Sequence, residues 1–167
     1  MTSFPQVEMH GADESVTLLP ALASSAVAGL VQLLVWMAAS ALFSQGFWTP
    51  PRLAAGALWG PGALLGGPAA VLLGLGLSLG FAAAWGLLYA SALRSGAHGP
   101  GRGLALGVAY GGLVFLVMYL VIAPWGDPTL FTQARPGPLL LADLAYGAVL
   151  GLWAPLNRAR PRPVPSA

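Results

Sequence analysis

Cysteine and lysine are both absent from this 167-residue sequence, and charge of either sign is scarce. Without cysteine there is no disulfide, no thiolate metal site and no thiol nucleophile. Charged residues make up 7% of the chain, where a soluble domain carries about 25%. So few charges cannot cover a water-exposed surface, because a folded chain of this size needs polar atoms over much of its exterior. Histidine is nearly missing too. His10 and His98 both fall in polar stretches, so haem ligation between apolar helices has no ligands to draw on. Metals and cofactors are not expected.

Apolar residues fill the space these leave. They make up 57% of the sequence, and the mean hydropathy is +0.76. Lipid, as the solvent for most of the surface, removes the need for charge. All seven basic residues are Arg, and the abundance of Ala, Gly, Pro and Leu fits the codon usage of a GC-rich bacterial genome. A formal net charge of +2 is too small to indicate nucleic acid as a partner.

The apolar runs predict an all-α membrane protein with four transmembrane helices, at about 18–43, 69–93, 104–123 and 138–156. Each is close to the roughly 20 residues needed to cross a hydrocarbon core. A polar, acidic tail with Glu8, Asp13 and Glu14 precedes them over 1–16, and an Arg/Pro-rich tail expected to be disordered follows over 157–167. Ala39-Ser40-Ala41 looks like a signal-peptidase site, but the acidic lead and the length of the first run favour an uncleaved span. Between the first two spans, Pro and Gly break any long helix. Pro51 to Trp59 is expected to form a short helix at the membrane interface, with Trp48, Arg52 and Trp59 at headgroup depth.

Charge sets the expected orientation. The 94–103 loop and both tails share one side and carry Arg94, Arg102, Arg158, Arg160 and Arg162, whereas the other side has only Arg52 and Arg135. Loop Arg stays cytoplasmic, so both termini are expected on the cytoplasmic side of a bacterial inner membrane.

The two halves are alike. Gly29-Leu-Val-Gln-Leu-Leu-Val-Trp36 aligns with Gly112-Leu-Val-Phe-Leu-Val-Met-Tyr119, and Ala84-Trp85-Gly86 with Ala145-Tyr146-Gly147. Two parallel-repeated helical hairpins are one reading, and chance matches within a small apolar alphabet are the other. Small residues recur four apart in every span: Ser25 and Gly29; Gly76 and Gly80; Gly103, Gly107 and Gly111; Gly147 and Gly151. In lipid such faces let backbones approach closely, so they are the expected packing surfaces, either inside the bundle or between copies of the chain.

Asp143 is the only ionisable side chain within a predicted span. A carboxylate at bilayer depth is costly unless it is paired, hydrated or protonated, and such residues often mark pathways. Arg135 and Arg52 are its candidate partners, and Tyr146 shares its helix face. Two structural roles compete: contact with headgroup water, or a favourable place near a helix N-terminus. Gln32, at mid-depth in the first span, is expected to hydrogen-bond across the bundle.

The first span with Gly29, the Gly-Phe-Trp-x-Pro loop and the closing Leu-Ala-Tyr146-Gly147-Ala-Val-Leu-Gly151 resemble small bacterial four-span proteins of the YagU-like kind, whose function is unknown. The resemblance implies an inner-membrane location and no particular activity. Members carry His ahead of the Tyr-Gly of the last span, where this chain has Asp143 and Leu144, so any His-based role is not transferred.

The functional expectation is a non-enzymatic structural or accessory membrane component, alone or with other membrane subunits. The alternative is a small oligomeric transporter or channel using Asp143 and Gln32, with Arg135 along the path. One Asp and two Arg are too sparse a set to nominate an enzymatic reaction.

Overall fold

A computed structural model describes residues 18–92 and 99–158. Arg94, His98, Arg160, Arg162 and the acidic N-terminal tail lie outside the described residues.

The described chain is helical. Its elements are α1 (Leu18–Leu42), α2 (Thr49–Trp59), a 3-10 turn (Gly60–Leu65), α3 (Pro68–Ala92), α4 (Pro100–Leu116), a π turn (Val117–Ile122), α5 (Ala123–Gly126), α6 (Pro128–Gln133) and α7 (Pro136–Arg158). α3, α4, α6 and α7 all begin on proline, whose fixed φ suits a first helical turn and whose missing N–H costs nothing there. Gly46, at φ 89°, lets the chain reverse between α1 and α2.

Four helices are long and apolar enough to cross a membrane: Leu19–Leu42, Pro68–Ala92, Pro100–Gly126 and Pro136–Trp153. At 1.5 Å per residue, the 25 residues of α3 reach about 37 Å. Leu30, Leu72, Leu88, Leu113 and Leu120 are exposed on the outside of the helices. A surface this apolar fits an integral membrane protein.

The third span departs from expectation at both ends. It starts at Pro100 instead of near 104, which puts Arg102 in its first turn, and it continues through Pro124 to Gly126. Pro124 has no N–H to give to Leu120, and its ring would strike that carbonyl in a regular helix. The backbone widens just upstream, with Ala123 N–H reaching Met118 O five residues back. The π turn thus absorbs the proline without ending the helix. The fourth helix likewise begins earlier than expected, at Pro136.

The long helices lie side by side in the order α3, α1, α7, α4. α1 meets α3 through small residues: a Cβ at Gly29 would come within 2.7 Å of Ala82 Cβ, and one at Gly86 would overlap the Ser25 side chain. The α4–α7 seam is tighter still. A Cβ at Gly107 would collide with the carbonyl of Gly147, one at Gly147 with that of Gly107, one at Gly151 with that of Gly103, and one at Gly111 with that of Asp143. Backbones this close gain dispersion contacts and Cα–H···O contacts that larger residues forbid.

Gly76 and Gly80 behave otherwise. Both are exposed, with no atom within 4 Å of a built Cβ, so they do not pack helices within this chain. α3 uses Gly74 and Gly86 instead, and a Cβ at Gly74 would overlap the backbone of Pro51 in α2. Four-residue spacing marks a face, but it does not say whether a neighbour occupies it.

α2 packs along the first turns of α3 and against α6, burying Pro50, Pro51, Leu53 and Ala55 while leaving Trp48 and Trp59 about half exposed. Leu53 joins Trp36, Ala123, Leu130, Leu139 and Ala142 in one buried cluster. α2 is therefore part of the core at that end of the molecule, not a helix lying on it. The backbones of α3 and α4, by contrast, stay apart, and side chains bridge them.

Candidate functional site

α7 carries Asp143 seven residues past Pro136, about 10 Å along the helix axis. That is beyond the first turn, where a helix dipole favours negative charge. The side chain is 2% exposed, so it is enclosed and not in contact with surface water. It is fixed from two sides. Its backbone rests on Gly111 of α4, where no side chain could fit, and its Oδ1 accepts a hydrogen bond of 2.5 Å from Gln32 Nε2 of α1. Its other oxygen, Oδ2, is buried with no hydrogen-bond partner.

Neither arginine pairs with it. Arg135 is exposed and donates from a guanidinium nitrogen to the Phe43 carbonyl at 2.7 Å, tying the start of α7 to the end of α1. Arg52 is half-buried in α2, with its Nε unpartnered, and takes no part in the cavity described below. The expected ion pair is replaced by an amide. Gln32 has the reach and α1 has the adjacency, whereas both arginines are committed to the α2 end.

Tyr146, one turn further along α7, is 1% exposed and donates its hydroxyl to Ala82 O of α3 at 2.6 Å. Tyr110 of α4 does the same one turn away, to Trp85 O, also at 2.6 Å. These two phenols bridge to α3 across the space between its backbone and those of α4 and α7. Tyr110 also packs its ring on Tyr89, with centroids 4.9 Å apart.

The space left between the helices is a cavity of about 150 Å³. Gln32 and Trp36 of α1, Ser78, Phe81 and Trp85 of α3, Val114 of α4, Met118 and Ile122 of the π turn, and Asp143 and Tyr146 of α7 line it. It extends toward α2, where Ala54, Ala57 and Asp127 close its end. Its wall is overwhelmingly apolar, it is partly open, and no basic residue among those described lines it. Trp36 and Trp85 therefore belong to the interior, whereas Trp48, Trp59 and Trp125 are exposed as interfacial tryptophans are.

Asp127 is the polar wall residue that the sequence reading passed over. It caps α6, accepting from Leu130 N–H at 3.0 Å. Burial pushes its carboxyl above the ordinary Asp range, and the backbone N–H groups of Leu130 and Thr129 pull it partly back. Asp127-Pro128 is an N-cap followed by a first-turn proline, and that signal was legible.

Among the described residues, no three His, Cys, Asp or Glu side chains come together as metal ligands. The arrangement can hold a small molecule by shape, with the carboxyls of Asp143 and Asp127, the Gln32 amide and the Ser78 hydroxyl to orient it.

Comparison with protein-family models, with curated proteins and with solved structures finds no match to this chain.

Proposed function

We propose that this chain is a non-enzymatic, multi-pass protein of the bacterial inner membrane, with both termini cytoplasmic, and that it binds a small, largely apolar molecule at Asp143 as a carrier or carrier subunit. One observation carries the reading: a buried carboxyl with a free oxygen stands in the wall of an apolar cavity between helices whose backbones stay apart. A purely structural bundle has no use for this arrangement. Filling the gap with Leu and replacing Asp143 and Gln32 by apolar residues would make a better-packed core. Intramembrane carboxyl groups that face a cavity mark substrate or ion paths.

The test is flux into proteoliposomes. A panel of small apolar amines, alcohols and acids should include at least one solute whose uptake Asp143→Asn abolishes while the same amount of protein stays in the membrane. Identical uptake by both proteins across the panel contradicts the reading.

A second reading, an accessory component docked on a larger assembly or on a second copy, draws on a different observation. Gly76 and Gly80 present an open small-residue face on α3, suited to close approach by another helix. Crosslinking in native membranes from a photoreactive residue at Leu72, which is exposed on α3, identifies the neighbour. Absence of any crosslinked partner removes this reading.

A further inference from the structure

We infer that the occupant of the cavity is a protonated amine with a single-ring or similarly sized apolar body, its ammonium group on Asp143 and its body against Trp36, Phe81 and Trp85. The inference rests on the binding role proposed above and names the ligand class.

The chemistry of the wall narrows the choice. The space, about 150 Å³, matches the size of an engineered cavity that takes up benzene. An anion finds no partner there, because no basic side chain among those described lines the cavity and Arg135 is engaged elsewhere. A wholly apolar ligand fits the walls but leaves Asp143 Oδ2 as it stands, buried and unpaired. An ammonium donor satisfies that oxygen, and a carboxylate is the one group present that repays the desolvation of a cation. Asp143 lines the cavity with Oδ1 held by Gln32, so a donor placed in the cavity stands beside a carboxyl that has one oxygen still unpaired. The aromatic walls add a second attraction: Trp36, Phe81, Trp85 and Tyr146 line the cavity, and cation–π attraction is strongest where the cation is desolvated. A neutral alcohol could make the hydrogen bond but would gain neither the charge assistance nor the cation–π term.

The experiment is equilibrium dialysis of tritiated benzylamine, benzyl alcohol and benzoate against the full chain in lipid nanodiscs, with empty nanodiscs as the partition control. Benzylamine is expected to bind the wild type about tenfold or more tightly than benzyl alcohol, with benzoate at the empty-disc level. Asp143→Asn is expected to lower benzylamine affinity by about tenfold and to narrow its advantage over benzyl alcohol, because the charge assistance is lost. The wild-type series decides even where that variant does not fold. Benzyl alcohol or benzoate binding as tightly as benzylamine overturns the amine assignment and leaves the cavity as a binding site. No binding of any of the three above empty discs takes the proposed binding role down with it.

Discussion

Gln32 in α1 and Asp143 in α7, 111 positions apart in sequence, are joined by a hydrogen bond that leaves the second carboxyl oxygen with nothing to accept from. The pair costs stability. Each group loses its hydration on burial, and one short bond returns only part of that loss.

Opposite outcomes are therefore expected for single and double replacements. Gln32→Leu leaves Asp143 wholly unpaired and should destabilise by about 1–3 kcal/mol. The double variant Gln32→Leu with Asp143→Leu removes the polar pair altogether and should be at least as stable as the wild type, with binding lost. Thermal unfolding of the purified protein in detergent checks both. A double variant less stable than Gln32→Leu alone would show that the pair holds the fold together.

The glycines divide into two groups that the same melting experiment separates. Gly107→Ala and Gly147→Ala place a methyl group into the carbonyl of the facing helix and should cost about 1–3 kcal/mol each. Gly76→Ala and Gly80→Ala meet open space and gain helix propensity, so they should be neutral or stabilising by up to about 1 kcal/mol in the isolated chain. Equal losses at all four would mean that the seam has been misplaced.

Tyr146 and Tyr110 are the only side chains seen to hydrogen-bond from α7 and α4 to α3 among the described residues. Tyr146→Phe should cost about 0.5–1.5 kcal/mol and loosen α3 from α7. Hydrogen exchange of the α3 amides around Ala82 reads this directly. Unchanged protection there would show that the phenol does not hold α3.

Because the chain contains no cysteine, engineered pairs report without background. Phe81 of α3 and Met118 of the π turn both line the cavity. Bridging Phe81→Cys to Met118→Cys with a short bismaleimide should close the cavity and reduce ligand uptake to the level of Asp143→Asn. Undiminished uptake in the bridged protein would place the entrance elsewhere.

The spans were legible in the sequence because lipid demands long apolar runs and permits few charges. Asp143 and Gln32 stood out for the same reason. Their pairing did not, since it depends on α1 lying beside α7, and nothing in either helix announces its neighbour. Arg135 and Arg52 looked like better partners by charge, yet one is bound to Phe43 O and the other sits in α2. Gly76 and Gly80 show the same limit from the other side. Their spacing equals that of Gly107 and Gly111, and only the adjacency of α7 tells the two sets apart. The cavity was illegible altogether, because it depends on how far apart the backbones of α3 and α4 stand. Pro124 read as a stop, but a local widening of the backbone let the helix run past it.

Reaction of Asp143 with carbodiimides in sealed vesicles tests the centre of the account most directly. A carboxyl enclosed at depth, and reached only through an apolar opening, should form an adduct with lipid-soluble diisopropylcarbodiimide and none with a charged, water-soluble carbodiimide. Mass spectrometry of the Asp143 peptide, with Asp143→Asn as the blank, reads both arms. Labelling by the water-soluble reagent from either face would contradict the enclosed site, and failure of both reagents would contradict the open cavity.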